Sequence, residues 1–185
     1  MNYTTQNDLL LNKLLQFYNR DNNLNNMLNI INGNSKISLR IVDWFVTNYA
    51  KKHYTVYNIM KMGETSETRI KVYDDYKLML KSYSKRRFDP FCRWDRIMIP
   101  FNESSHVQTT IGQLNFFKWA MENKIIGYIE ENLNIIDRDM NSRNNSRSRE
   151  NNKDMKKTRK KREELSVSAC RSIKREEIEV IFSFS

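Results

Sequence analysis

Glycine is scarce in this 185-residue chain, at four residues, and histidine and cysteine are scarcer, at two each. Each shortage excludes a class of chemistry. Four glycines could scarcely build a phosphate-cradling loop, and no P-loop, dinucleotide-binding glycine pattern or nucleophile elbow occurs. His53 and His106 do not stand at metal-ligand spacing from Cys92 or Cys170, so no zinc site is expected and no cofactor is implied. The two cysteines lie far apart in segments of different character, which argues against a disulfide framework and predicts free thiols in a reducing compartment. No stretch approaches the roughly 18 apolar residues of a membrane-spanning helix, and the first residues lack the basic-then-apolar order of a secretory signal. The expectation is a protein of the cytosol or nucleus without a membrane partner.

Acidic charge is also short, with 22 Asp and Glu against 32 Lys and Arg, for a net charge of +10. Residues 1–137 hold 18 basic and 14 acidic side chains, residues 138–162 hold 11 and 3, and residues 163–185 hold 3 and 5. Most of the excess is therefore concentrated in one short polar stretch. That concentration favours a polyanionic partner, and nucleic acid suits it better than a lipid surface because the stretch has no apolar face to insert. The adjacent carboxylates Asp74-Asp75 and Glu130-Glu131 point to different sides of any helix and read as caps and solvated faces. No catalytic residue is assigned, and the chain reads as non-enzymatic.

The apolar spacing predicts an α+β fold: a mainly helical single domain with a small sheet, a flexible basic segment and C-terminal strands. Asn7 or Asp8 can cap a first helix carrying Leu10, Leu11, Leu14, Leu15 and Tyr18 on one face. Leu24, Met27, Leu28 and Ile31 mark a second helix, ended by Gly33 in the left-handed conformation. Ser38 caps a third, with Ile41, Trp44, Phe45 and Tyr49 inward and Arg40, Asp43 and Lys51 elsewhere. A hairpin follows, with Tyr54, Val56 and Asn58 on one side of its first strand and Arg69 to Tyr73 forming the second. Asp74 can cap a helix through Tyr76, Met79, Leu80 and Tyr83 that ends in Lys85-Arg86-Arg87. Phe88-Asp89-Pro90-Phe91 reads as a turn, and Arg96 to Phe101 as a strand that Pro100 confines to an edge. Thr109 or Thr110 opens a helix broken at Asn123, and the pattern resumes from Ile125 to about Ile136. The organisation is a mixed body over 1–137, a basic disordered linker or solvated helix over 138–162, and a strand pair over 163–185 that packs on the body. That pair rests on the alternation through Leu165, Val167 and Ala169 and through Ile178, Val180, Phe182 and Phe184, and it turns near residues 171–177.

Two constellations suit phosphate. Between Lys77 and Arg96 seven basic residues face only Asp89 and Asp95 and interleave with Tyr83, Phe88, Phe91 and Trp94. Lys85, Arg86, Arg87, Arg93 and Arg96 would neutralise phosphates while Phe91 or Trp94 stacks on unpaired bases. Lys156, Lys157, Arg159, Lys160, Lys161 and Arg162 form the second, a generic phosphate-binding run that also fits a nuclear-import signal. Ser142, Ser146 and Ser148 sit beside it, where phosphorylation would lower its charge. The C-terminal strands could add to a protein partner's sheet edge or return to the chain's own sheet, and the second is favoured because an exposed apolar strand aggregates. The leading expectation is a non-enzymatic nucleic-acid-binding protein; the alternative is a structural or interaction component of a virion or protein complex.

The blocks Ile37-Ser38-Leu39-Arg40-Ile41-Val42-Asp43-Trp44-Phe45-Val46-Thr47-Asn48-Tyr49, Phe88-Asp89-Pro90-Phe91-Cys92-Arg93 and Thr110-Ile111-Gly112-Gln113-Leu114-Asn115-Phe116-Phe117-Lys118-Trp119-Ala120 resemble an uncharacterised family of small proteins of nucleocytoplasmic large DNA viruses, the mimivirus and chlorovirus relatives. The resemblance spans most of residues 37–129 and extends to the expected C-terminal strands. It implies a viral source, which the abundance of asparagine fits through an AT-rich genome. It also implies a location in the host cytoplasm, at a viral factory, or in the nucleus or virion. No activity or binding residue comes with it.

Overall fold

The computed structural model describes residues 6–61, 65–101, 105–151 and 175–177, with the backbone path alone for 105, 143–151 and 175–177. The periodic leucines of the first segment form α1, Gln6–Tyr18, whose Leu14 and Tyr18 are buried. The Tyr18 hydroxyl donates to the Leu114 carbonyl at 2.7 Å, tying this helix to a distant part of the chain, and burial pushes its pKa well above the usual phenol value. Asn7 and Asp8, the expected caps, both lie within the helix. In α2, Asn23–Ile31, the expected Leu24, Met27, Leu28 and Ile31 are buried, and Gly33 follows at φ 76°.

Ser38 caps α3, Leu39–Trp44, its hydroxyl accepting from the Ile41 amide. The helix then widens into a π turn, Phe45–Tyr49, where the Ala50 amide reaches back five residues to Phe45, before the short α4, Ala50–Lys52. An inserted residue of this kind rotates the following side chains around the axis. Phe45, Val46, Tyr49 and Ala50 consequently all reach the core, while Asp43, expected to point away, is half-buried.

Strands β1, Val56–Met60, and β2, Glu67–Lys71, form the expected antiparallel hairpin, with Val56 opposite Lys71 and Met60 opposite Glu67. The inward face is corrected, since Ile59 and Ile70 are buried whereas Asn58 is exposed. Tyr54 precedes the strand at φ 45° and is 66% exposed, so it belongs to neither face. Tyr73 is helical rather than extended, because α5, Val72–Arg87, starts immediately after β2. Its first turn is held by Asp75, which accepts from the Lys71 amide at 3.0 Å, rather than by Asp74 as expected.

Strands β3, Arg96–Pro100, and β4, Ser105–Thr110, pair antiparallel, and β5, Arg175–Glu177, pairs with the other side of β4. Pro100 therefore stands on an edge strand, as its missing amide donor requires. Residues 175–177, expected as the end of a turn, are extended; Leu165, Val167 and Ala169 and Ile178 to Phe184 lie outside the described residues.

The α6 helix, Ile111–Glu122, is buried at every position from Ile111 to Phe117, which makes it the central element of the core. Then α7, Ile125–Glu131, and α8, Leu133–Asn151, follow. Asp137, drawn as the end of the body, falls inside α8, where Ile136 and Met140 are buried. The fold is mainly helical α+β, as the spacing predicts. Among the described residues no helix is long and apolar enough to cross a membrane.

Candidate nucleic-acid interface

The end of α5 is the least regular part of the helix. Ser84 adopts φ 65° and ψ 162°, a region close to glycine-only, and breaks the helix ahead of Lys85-Arg86-Arg87. Phe88 then drives the chain inward, fully buried among Tyr76, Tyr83, Phe116 and Trp119, with ring centroids 5.6 to 6.1 Å away. Asp89 closes the expected turn, its carboxylate accepting from the Phe91 amide at 2.8 Å and its carbonyl from the Cys92 amide at 3.0 Å.

Helix α6 clamps that turn from below. Thr110 caps α6 through the Gln113 amide and also donates its hydroxyl to the Cys92 carbonyl at 3.3 Å. The Asn115 amide donates to the Arg87 carbonyl at 3.0 Å, and the buried, free Cys92 thiol lies 3.3 Å from the Arg86 carbonyl. Gly112 permits the approach, because a β-carbon there would lie 3.0 to 3.1 Å from the Arg86 and Asp89 carbonyls and Cys92 Cβ. Asp43 completes the surroundings. Burial, then the Asp89 carboxylate, pushes its pKa up to about 6, with Lys85 opposing. The three sequence blocks that carry the viral resemblance thus bear on one turn.

On this frame the expected residues divide. Lys85 stands 3.8 Å from Asp89 and is exposed. The Arg86 guanidinium grips the Asp95 carboxylate with two hydrogen bonds of 2.7 and 2.8 Å, which hold the Asp95 carboxyl below its usual range. Arg93 and Arg96 are exposed, and Arg96 donates to Gln108 at 3.2 Å. Trp94 is 74% exposed, the most exposed large apolar side chain among the described residues. Phe91, the other stacking candidate, is partly buried against the core and does not offer a free face. Arg86, Arg87, Trp94 and Asp95 line one hollow of about 100 Å³, together with Asn7 and Ile111. Asn7 was legible only as a helix cap, since nothing in the sequence links it to residues some eighty positions on. Lys156, Lys157, Arg159, Lys160, Lys161 and Arg162 lie outside the described residues.

A second basic and aromatic surface gave no signal in the sequence. Lys51 sits 5.6 Å from the Tyr73 ring centroid, and both border an open hollow of about 670 Å³ that includes Lys52, Asp139 and Ser142. Burial works against the Asp139 charge, but hydrogen bonds from Lys52 and the Trp44 indole hold its carboxyl below the usual range. Lys52 is thereby paired. Among the described residues no group of three or more His, Cys, Asp or Glu side chains could hold a metal ion.

The family of unknown function DUF7197 matches residues 1–184. The chain is 45% identical over 144 residues to Uncharacterized protein L507 of Acanthamoeba polyphaga mimivirus, a match covering 75% of this chain and 55% of that relative. The chain therefore spans little more than half the length of that relative. The expected resemblance to proteins of large DNA viruses is borne out by this similarity. No solved structure matches.

Proposed function

Because the chain belongs to the family of unknown function DUF7197, whose description assigns no activity, we propose its function from the surface itself: non-enzymatic binding of unpaired nucleic acid. The observation that carries the reading is Trp94, an indole 74% exposed on a loop that also bears Arg93, leads into Arg96 at the start of β3 and is latched to the Arg86-Arg87 end of α5. An exposed indole offers a flat apolar face, and a base has a π-face of the right size to stack on it. Guanidinium groups around it supply the charge that phosphates require. A single strand satisfies both at once, whereas a duplex keeps its bases stacked away from Trp94. The basic run 156–162 adds charge without base preference. Binding of this kind fits a transcription, RNA-handling or genome-packaging factor acting in the host cytoplasm or nucleus.

A salt-series titration against single-stranded DNA, duplex DNA and single-stranded RNA tests it. Affinity should fall steeply with salt, and Trp94→Ala should weaken single-strand binding by about 1–3 kcal/mol while leaving duplex binding nearly unchanged. If Arg87→Glu combined with Arg93→Glu leaves every affinity intact, this surface is not the interface.

A further inference from the structure

Resting on that reading, we propose that Arg86 is a backbone-phosphate site held closed by Asp95, whose carboxylate takes the place of the phosphate until a strand displaces it. The Arg86 guanidinium donates to both Asp95 oxygens, at 2.7 and 2.8 Å, a two-point grip that it can give to a phosphate as well as to a carboxylate. Arg86, Arg87, Trp94 and Asp95 line one hollow. The ion pair therefore borders the space that the phosphate beside a base stacked on Trp94 would enter.

The pair is suited to exchange. Both side chains stand in water, 63% and 50% exposed, and an ion pair in that setting is screened and weak. Asp95 sits at φ 52°, in the left-handed region that aspartate enters more readily than most residues, and the chain is anchored on either side of it. Upstream the Thr110 hydroxyl donates to the Cys92 carbonyl, and downstream Arg96 pairs with Thr110 in the β3–β4 ladder. The carboxylate can thus rotate into solvent without releasing the loop at either end. Trading one anion for another on Arg86 gains little by itself. What favours the strand is the second guanidinium at the hollow, Arg87, together with stacking on Trp94, and Asp95 satisfies neither.

The test measures binding of a twelve-residue oligothymidylate to the full chain across a salt series, for the natural sequence, Asp95→Asn, Arg86→Gln and the double variant. Asparagine tolerates the left-handed backbone, so Asp95→Asn removes the charge and keeps the loop. At low salt it should bind about fivefold more tightly, the upper end of what an exposed ion pair contributes. Arg86→Gln should weaken binding, and in its presence Asp95→Asn should bring no gain, because the site that Asp95 covers is gone. If the gain persists with Arg86→Gln, Asp95 acts only as a nearby negative charge. If Asp95→Asn leaves affinity unchanged or lowers it, the pair stays closed when the strand binds. Either result overturns the proposal, and the broader reading stands as long as oligothymidylate binds the natural sequence with a steep salt dependence. If no oligomer binds at low salt, both fall.

Discussion

Asp43 carries a charge that works against the fold near neutral pH. Burial and the neighbouring Asp89 raise its pKa to about 6, above the 3.8 of an exposed aspartate. The native state therefore holds a proton that the unfolded chain releases between those values. With more protons bound in the folded state, stability falls as pH rises from about 4 to about 6, and the loss is complete above that window. The cost at neutral pH is at most about 3 kcal/mol, two pKa units of differential interaction. Asp43→Asn, which imitates the protonated form, should raise the melting temperature at pH 7.5 and leave it unchanged near pH 4. Equal shifts at both pH values would show that charge is not the reason. Ser84 stores strain of a different kind. Its backbone at φ 65° and ψ 162° costs a serine about 1–3 kcal/mol. Ser84→Gly should gain about 1 kcal/mol after the added chain entropy of glycine, a rise of a few degrees readable by calorimetry. A fall in melting temperature would mean that the serine side chain stabilises the break.

Between elements, the close approach of α6 to the 86–92 turn is the decisive contact. Gly112→Ala would press a methyl group against two backbone carbonyls and Cys92 Cβ, none of which can swing aside as a side-chain tip could. The turn must move, at about 1–3 kcal/mol, and single-strand affinity should fall even though no nucleic-acid-facing residue has changed. Full affinity in the Gly112→Ala variant would uncouple the turn from the interface. This approach marks the limit of what the sequence makes legible. The helices with one-sided burial, α1 to α3, follow directly from apolar spacing, and so does the turn at Asp89-Pro90. Strand β4 carries His106 and Gln108 between its inward residues and gives no apolar run, so it escapes notice. The hairpin face is misjudged because Tyr54 looks like the start of an alternation it does not join. The basic residues of the site can be found by composition, but not their division into a latched Arg86, an exposed Trp94 and a buried turn. That division depends on Asp95 reaching Arg86 and on Gly112 letting α6 approach the turn, and no local spacing encodes it.

Across the whole molecule, positive charge is carried in two regions of different character. The folded surface at 85–96 sets its arginines on a backbone fixed by Phe88 and α6, whereas residues 138–162 carry a net charge of +8 and little to bury. The first part of that stretch is anchored, since α8 buries Met140 and pairs Asp139 with Lys52 before running on to Asn151. Charge on such a segment strengthens attachment to any polyanion, while base preference requires groups held at defined positions. The two contributions should therefore separate by mutation. Replacing Lys160, Lys161 and Arg162 by glutamine should lower the slope of log affinity against log salt by about 2 for a single strand, at roughly 0.7 for each phosphate no longer neutralised. Affinity for single strand, duplex and RNA should drop by a similar factor, so their ratio is preserved. Trp94→Ala should do the reverse, leaving the slope nearly intact and erasing the preference for unpaired strands. If the glutamine variant instead loses the preference itself, selectivity resides in the basic segment, and the folded surface merely positions it.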